Sequence, residues 1–362
     1  MFAHFAAVVF LAAGPAPAGD VRLNQIQVIG SHNSYHRAPA PSISALIAAV
    51  SKKKAGALEY THRPLAEQFE RLGVRQIELD VFADPEGGRF AQPKVWTTLK
   101  ALGKDPGPDP DPTGALKKPG MKVLHVPGVD FLTTAPTLVD ALRQVRVWSH
   151  AHPRHVPLFI LVELKDPKAG AFDARALDAL DAEIRSVFSP VELLTPDNVR
   201  GTFATLSEAL QQRGWPTLDA ARGKVMVALD NENAIRDRYL DGHPALKGRV
   251  MFVSVPDDHP AAAWMKVNDV LKDFDKIQSL VKAGFLVRTR ADADTAEARS
   301  NDPTRRDKAL ASGAQFVSTD FAEPNPEFSD YHVRLPDNAV ARINPVSGHR
   351  ASSSIDLENP RR

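Results

Sequence analysis

The sequence predicts a single-domain α/β protein built as a (β/α)8 TIM barrel. Three observations carry that expectation. Eight short apolar runs of strand length alternate with segments of helical spacing, without an internal repeat. Several of those runs end in an ionisable or amide side chain on the face that was apolar until then. The chain has 362 residues and 43% hydrophobic content, enough for one large core. A doubly wound parallel sheet is the runner-up.

The first run, Gln25–His36, places Ile26, Val28 and Gly30 on one face and continues that face to His32, with Asn33 beside it. Ser42–Val50 reads as an amphipathic helix running into Lys52, Lys53 and Lys54. An apolar face beside a basic run suits contact with a membrane surface, although a helix packed on the barrel with a solvated charge run is the favoured reading. Pro64–Leu72 is a second helix, stopped by Gly73. The second strand, Val74–Phe82, brings Gln76, Glu78 and Asp80 to one face. Residues 84–120, rich in Pro, Gly and Asp, read as a long surface loop, and Asp105, Asp109 and Asp111 lack the spacing of an EF-hand.

The third strand is Lys122–Val126, with His125 near its exit, followed by a helix over Pro136–His150. The fourth, Pro157–Asp166, carries Phe159 and Leu161 on the face that ends in Glu163 and Lys165, and Ala171–Phe188 is the helix after it. The fifth strand, Lys224–Asp230, ends in Asp230, and the sixth, Arg249–Val255, has no ionisable exit. The seventh, Gly284–Arg290, aligns Leu286, Arg288 and Arg290; the eighth, Ala314–Asp320, aligns Phe316, Ser318 and Asp320.

Composition narrows the function. With 45 Lys and Arg against 44 acidic residues, no net field selects nucleic acid. Without cysteine there is no thiolate nucleophile, disulfide or cysteine-bound zinc. Phe5–Ala13 is apolar but too short to span a bilayer, and Ala16-Pro-Ala18 suits signal-peptidase cleavage, although the segment before the run has His4 and no Lys or Arg. Residues 1–18 are therefore expected to be a signal peptide, giving an exported protein, periplasmic or extracellular, with no transmembrane segment once processed. The barrel domain is expected over 19–346, and 347–362 as a loose polar tail.

A (β/α)8 barrel assembles its site at the carboxyl ends of its strands. There, strands one to four offer His32 and Asn33, Glu78 and Asp80, His125, and Glu163 and Lys165. Each has an ordinary structural explanation taken alone; together they form a set. Three carboxylates and an amide oxygen make a hard ligand group suited to calcium or magnesium rather than zinc. Two histidines titrating near neutrality suit a base and an acid across a transferring phosphoryl group. Lys165, Arg288 and Arg290 suit the remaining anionic oxygens or a polyol, although strand arginines are often structural ion pairs. The chemistry described is phosphodiester cleavage.

Gly30–His36, Gln76–Phe82, His125 and Leu161–Lys165 resemble the phosphatidylinositol-specific phospholipase C superfamily, best its secreted bacterial calcium-dependent group. Val287–Asp292, Phe316–Phe321 and Ala341–Pro345 extend the resemblance over nearly all of the expected mature chain. It implies one Ca2+ held by Asn33, Glu78, Asp80 and Glu163, with Mg2+ the lesser alternative, and His32 and His125 as the catalytic pair. It also implies a phospholipid substrate met at a membrane surface, cleaved to diacylglycerol and an inositol phosphate, cyclic or linear. The fifth strand has no basic counterpart to the residues that bind ring phosphates in animal members, so plain phosphatidylinositol is the expected substrate. A glycerophosphodiester phosphodiesterase is the alternative enzyme, sharing paired histidines and Glu-x-Lys, but it reads His-Arg-Gly where this chain has His32-Asn33-Ser34. A non-catalytic lipid- or polyol-binding barrel is the second alternative; it would need neither histidine.

Overall fold

The structure, a computed structural model, describes residues 21–165, 170–348 and 356–359. The expected signal peptide lies outside the described residues. The apolar runs form β1 (Ile26–Ser31), β2 (Gln76–Phe82), β3 (Lys122–Val123), β4 (Leu158–Leu164), β5 (Val225–Leu229), β6 (Met251–Val253), β7 (Trp264–Lys266), β8 (Leu286–Arg290), β9 (Phe316–Thr319) and β10 (Ala341–Ile343). Around the sheet the order is β6, β5, β4, β2, β1, β9, β8, β7, all parallel. A bridge between Ser254 and Trp264 brings β7 back to β6, so eight parallel strands nearly close into the expected barrel. Every residue of β1, β2 and β5 is buried, because the barrel interior covers one face and helices cover the other.

Alternation decides what fills the interior. Phe159 of β4 stacks on Phe316 of β9 with ring centroids 4.2 Å apart, and Trp264 lies 5.7 Å from Phe159. Gln76, Arg288 and Ser318 are bonded together: Arg288 Nε donates to Ser318 Oγ at 2.8 Å, and Ser318 Oγ donates to Gln76 Oε1. Gly30 makes room for them, since a Cβ there would sit 1.9 Å from Gln76 Oε1.

Three sequence expectations need correction. The third run is not a barrel strand: β3 is two residues long and pairs antiparallel with β2, Val123 opposite Val81. β2 pairs directly with β4 instead, and the eighth barrel strand is β7, between β6 and β8, three residues that are too few to show a period. The loop expected over 84–120 contains a helix, Lys94–Ala101. Its Val95, Trp96 and Leu99 pack on Ile43 and Ile47 of the helix Pro41–Val50 and on Phe131 and Leu132.

The end of the chain is not loose over 356–359. Leu357 is buried and its N–H donates to Ala341 O at 2.9 Å. Arg75 Nε donates to Glu358 Oε2 at 2.7 Å, and the Val156 N–H donates to the same oxygen at 2.9 Å. Arg75 is only 2% exposed, and Glu358 is the carboxylate paired with its charge. Replacing Glu358 by Ala is expected to cost about 3 kcal/mol of stability by stranding that guanidinium. An unchanged urea midpoint and slope would show that the terminal segment does not hold the barrel.

Candidate active site

The β1 exit is stitched to β2 before any functional group is placed. The Ser34 N–H donates to Glu78 O at 2.9 Å, and the Glu78 N–H donates to Ser34 Oγ at 2.8 Å. Asn33 sits in this turn with φ +46°, a left-handed conformation that asparagine tolerates better than most residues. Its Nδ2 donates to Tyr60 OH at 3.1 Å. Its Oδ1 is buried without a hydrogen-bond partner among the described residues.

Beside it, β2 and β4 pair Asp80 with Glu163, so two period-two patterns deliver their carboxylates together. Glu78, Asp80 and Glu163 each present an oxygen within 4.8 Å of the other two. Burial pushes the Glu78 carboxyl up to about 8 against the pull of Arg288, with Asp230, Asp80 and Glu163 adding to the rise. Burial likewise lifts Asp80 to about 6, opposed by Lys165 and aided by Glu163.

The two histidines lie at either end of this cluster, each braced by a carboxylate at Nδ1. His32 Nδ1 lies 2.8 Å from Asp320 Oδ1, and its Nε2 lies 3.7 Å from Glu78 Oε1. Arg290 Nη1 donates to that Nε2 at 3.3 Å. These partners assign the proton to Nδ1 and a lone pair to Nε2. Burial, and then the charge of Arg290, lower His32 to about 3, outweighing Asp320. His125 Nδ1 lies 2.6 Å from Asp130 Oδ2. Burial acts to lower His125, but the hydrogen bond and charge of Asp130, with Asp80, win and raise it.

The three cations expected at the substrate are turned toward protein. Lys165 Nζ lies 2.8 Å from Glu163 Oε1 and 3.0 Å from Asp80 Oδ2, joining the carboxylate cluster. Arg288 is 1% exposed and donates to Glu78, Ser318 and Asn268. Arg290 donates to Asp320 Oδ2 at 3.1 Å as well as to His32. Arg288 thus orients Glu78, and Arg290 orients the His32–Asp320 pair.

All the residues singled out from sequence therefore meet in one bowl, but their partners were missed. Asp320 was visible as the end of the Phe316, Ser318, Asp320 face. Asp130 carried no periodic signal: it follows His125 in a tight loop closed by Val126 N–H to Asp130 O at 2.7 Å. His36 lies in the first motif, yet its role as the second imidazole on Asp130 depends on that loop. A cavity of about 490 Å³ touches the site at Asp320 and Tyr60 and contains none of the cluster carboxylates.

A family model described as phosphoinositide phospholipase C, Ca2+-dependent, matches residues 21–345. The chain belongs to this family. It is accordingly an enzyme of the phosphoric diester hydrolase class. Among solved structures, a Ca2+-dependent phosphatidylinositol-specific phospholipase C from Streptomyces antibioticus is similar over 83% of this chain and 95% of its own, with TM-score 0.54 and 16% identity. A calcium-dependent phosphoinositol-specific phospholipase C from a Gram-negative Pseudomonas sp., in a myoinositol complex, is similar over 90% of this chain and 96% of its own, with TM-score 0.53 and 17% identity. At these identities the likeness shows the shared fold. A comparison with curated proteins returns no match.

The donor set fits the ion named by the family. Three convergent carboxylates and an orphaned amide oxygen are the ligands a hard divalent cation takes. With burial raising Glu78 to about 8, a cation arriving there at pH 7 competes with a proton for that carboxylate. Calcium binding at pH 7 is therefore expected to release roughly one proton, with affinity rising as pH climbs toward 8. Calorimetry in buffers of different ionisation enthalpy checks this; no proton release would contradict the placement of Glu78 among the ligands.

Proposed function

We propose that this chain is a calcium-dependent phospholipase C that cleaves phosphatidylinositol to diacylglycerol and an inositol phosphate, first cyclic and then linear. One observation carries the reading: two histidines, each braced at Nδ1 by a carboxylate, Asp320 or Asp130, stand at the two ends of a cation-ready carboxylate cluster.

Asn33, Glu78, Asp80 and Glu163 would hold the ion, which when bound supplies charge for a phosphate oxygen and acidity for the attacking hydroxyl. His32 takes the proton of the inositol 2-hydroxyl at Nε2, since Asp320 holds its Nδ1–H. The oxygen so freed attacks phosphorus, the bond from phosphorus to the glycerol oxygen breaks, and His125 gives its Nε2 proton to that oxygen. Asp130 stabilises the imidazolium that His125 must be beforehand. Arg290 keeps His32 oriented and neutral, and its charge lies beside the arriving phosphate. Lys165 holds Asp80 and Glu163 together until the ion takes its place.

The enzyme would meet its substrate on a lipid surface, in the exported setting expected from residues 1–18. Leu46 and Val50 are exposed on the helix Pro41–Val50, Val50 at 88%, and Lys52, Lys53 and Lys54 follow them. The same helix packs through Ile43 on Phe131 and Leu132, immediately after Asp130, which ties it to the loop that holds the carboxylate partner of His125. Among the described residues no helix is long and apolar enough to cross a membrane.

Phosphorus NMR of phosphatidylinositol vesicles, with and without a calcium chelator, tests the reading. A cyclic inositol phosphate signal that the chelator suppresses is expected; cleavage of glycerophosphoinositol alone would favour the glycerophosphodiesterase instead. His32→Ala and His125→Ala are each expected to lower kcat by about 10²–10⁴-fold. Because the acid must be protonated, activity should fall as pH rises through the raised pKa of His125. Asp130→Asn should move that alkaline limb to lower pH, and an unmoved limb would remove Asp130 from the account. Val50→Asp should lower turnover on vesicles roughly tenfold and leave turnover of a soluble short-chain substrate unchanged; equal losses on both would refute the docking surface.

A further inference from the structure

Asp130 holds two imidazoles, and the mechanism above uses only one. His36 is fully buried, with its ring stacked on Tyr60 at 4.2 Å between centroids. Its Nδ1 lies 3.1 Å from the backbone oxygen of Tyr60. A carbonyl oxygen can only accept, so Nδ1 carries the hydrogen. In the neutral ring Nε2 is then a lone pair, and it faces both carboxylate oxygens of Asp130 at 2.9 Å. A lone pair against an anion is unfavourable unless a cation stands between them. That cation is either a proton or a metal ion.

The donor set fits a metal. His36 Nε2, His125 Nδ1 and the Asp130 carboxylate lie within 4.8 Å of one another. A histidine ligand usually donates its remote N–H to a backbone carbonyl or carboxylate, as His36 does to Tyr60. Two imidazoles and one carboxylate leave a fourth position for solvent, and His125 is 24% exposed.

We propose that His36, His125 and Asp130 form a second metal site, selective for zinc-class ions, whose occupation shuts the enzyme down. The neighbouring all-oxygen cluster suits calcium, so the two sites sort ions by donor type. Zinc donors about 2.0–2.1 Å from the ion stand roughly 3.3 Å from one another in a tetrahedron, so the present contacts of 2.6 and 2.9 Å must open. The short loop from Val126, itself 40% exposed, to Asp130 gives that room. On binding, the proton between His36 and Asp130 and the Nδ1 proton of His125 leave to solvent. His125 then keeps a single hydrogen, on Nε2, and can surrender it only as a metal-bound imidazolate. This inhibitory half rests on the acid role given to His125 above.

The test uses untagged, calcium-saturated protein. Cobalt(II) should give the visible absorption bands of a four-coordinate site in the wild type, and His36→Asn should lose them. His125→Asn, changed at the partly exposed ligand, must lose them too, which guards against a folding failure at buried His36. Zinc should reduce wild-type turnover saturably. His36→Asn should raise the zinc needed for half inhibition by at least about tenfold relative to its own zinc-free rate. Absence of the bands, or their survival in His36→Asn, overturns the site. Bands in the wild type without loss of turnover uphold the site and overturn the acid assignment of His125.

Discussion

Two buried carboxylates, Glu78 and Asp80, and a half-buried third, Glu163, are forced together at the mouth of this barrel, and everything else at the site answers to that crowding. The pairing of Asp80 with Glu163 across β2 and β4 fixes two of them, and the alternation of β2 brings Glu78 to the same face. At the 4.8 Å limit of their separation each like-charged pair costs about 3 kcal/mol at an effective dielectric of 20. Arg288 from β8 and Lys165 from the β4 exit offset that repulsion, and burial with the neighbouring carboxylates raises the Glu78 carboxyl. A divalent cation would relieve all three at once, and Asn33 Oδ1 stands ready as a neutral ligand.

The histidines gain opposite characters from nearly identical bracing. Each has a carboxylate at Nδ1, but Asp320 is shared with Arg290 whereas Asp130 is shared with His36. Burial, and then the guanidinium of Arg290, disfavour a positive charge on His32; near His125 the carboxylates prevail over burial. The difference therefore comes from burial and from the neighbours of the carboxylates, not from the carboxylates themselves.

The legible part of this protein was the part with a period. Strand exits repeat every second residue, so Glu78 with Asp80, Glu163 with Lys165 and Arg288 with Arg290 were readable as inward-facing pairs. The parallel barrel followed from counting apolar runs. Where structure depends on a few residues, the period vanishes: β7 spans only Trp264–Lys266, and β3 reads as a barrel strand although it turns back along β2. Asp130 and Glu358 were hidden for another reason. Each acts across a loop or a long sequence separation, and nothing local marks a carboxylate that will meet Arg75 or His125. Arg288 was legible as an inward side chain but not as half of an internal ion pair, because only the fold shows that Glu78 lies opposite.

The most direct test of the central claim is a crystal structure of the protein grown with calcium. The account predicts one ion bonded at about 2.3–2.6 Å to Asn33 Oδ1, Glu78, Asp80 and Glu163, with the Lys165 ammonium displaced from Asp80. An ion bound elsewhere, with Lys165 still bridging Asp80 and Glu163, would contradict it.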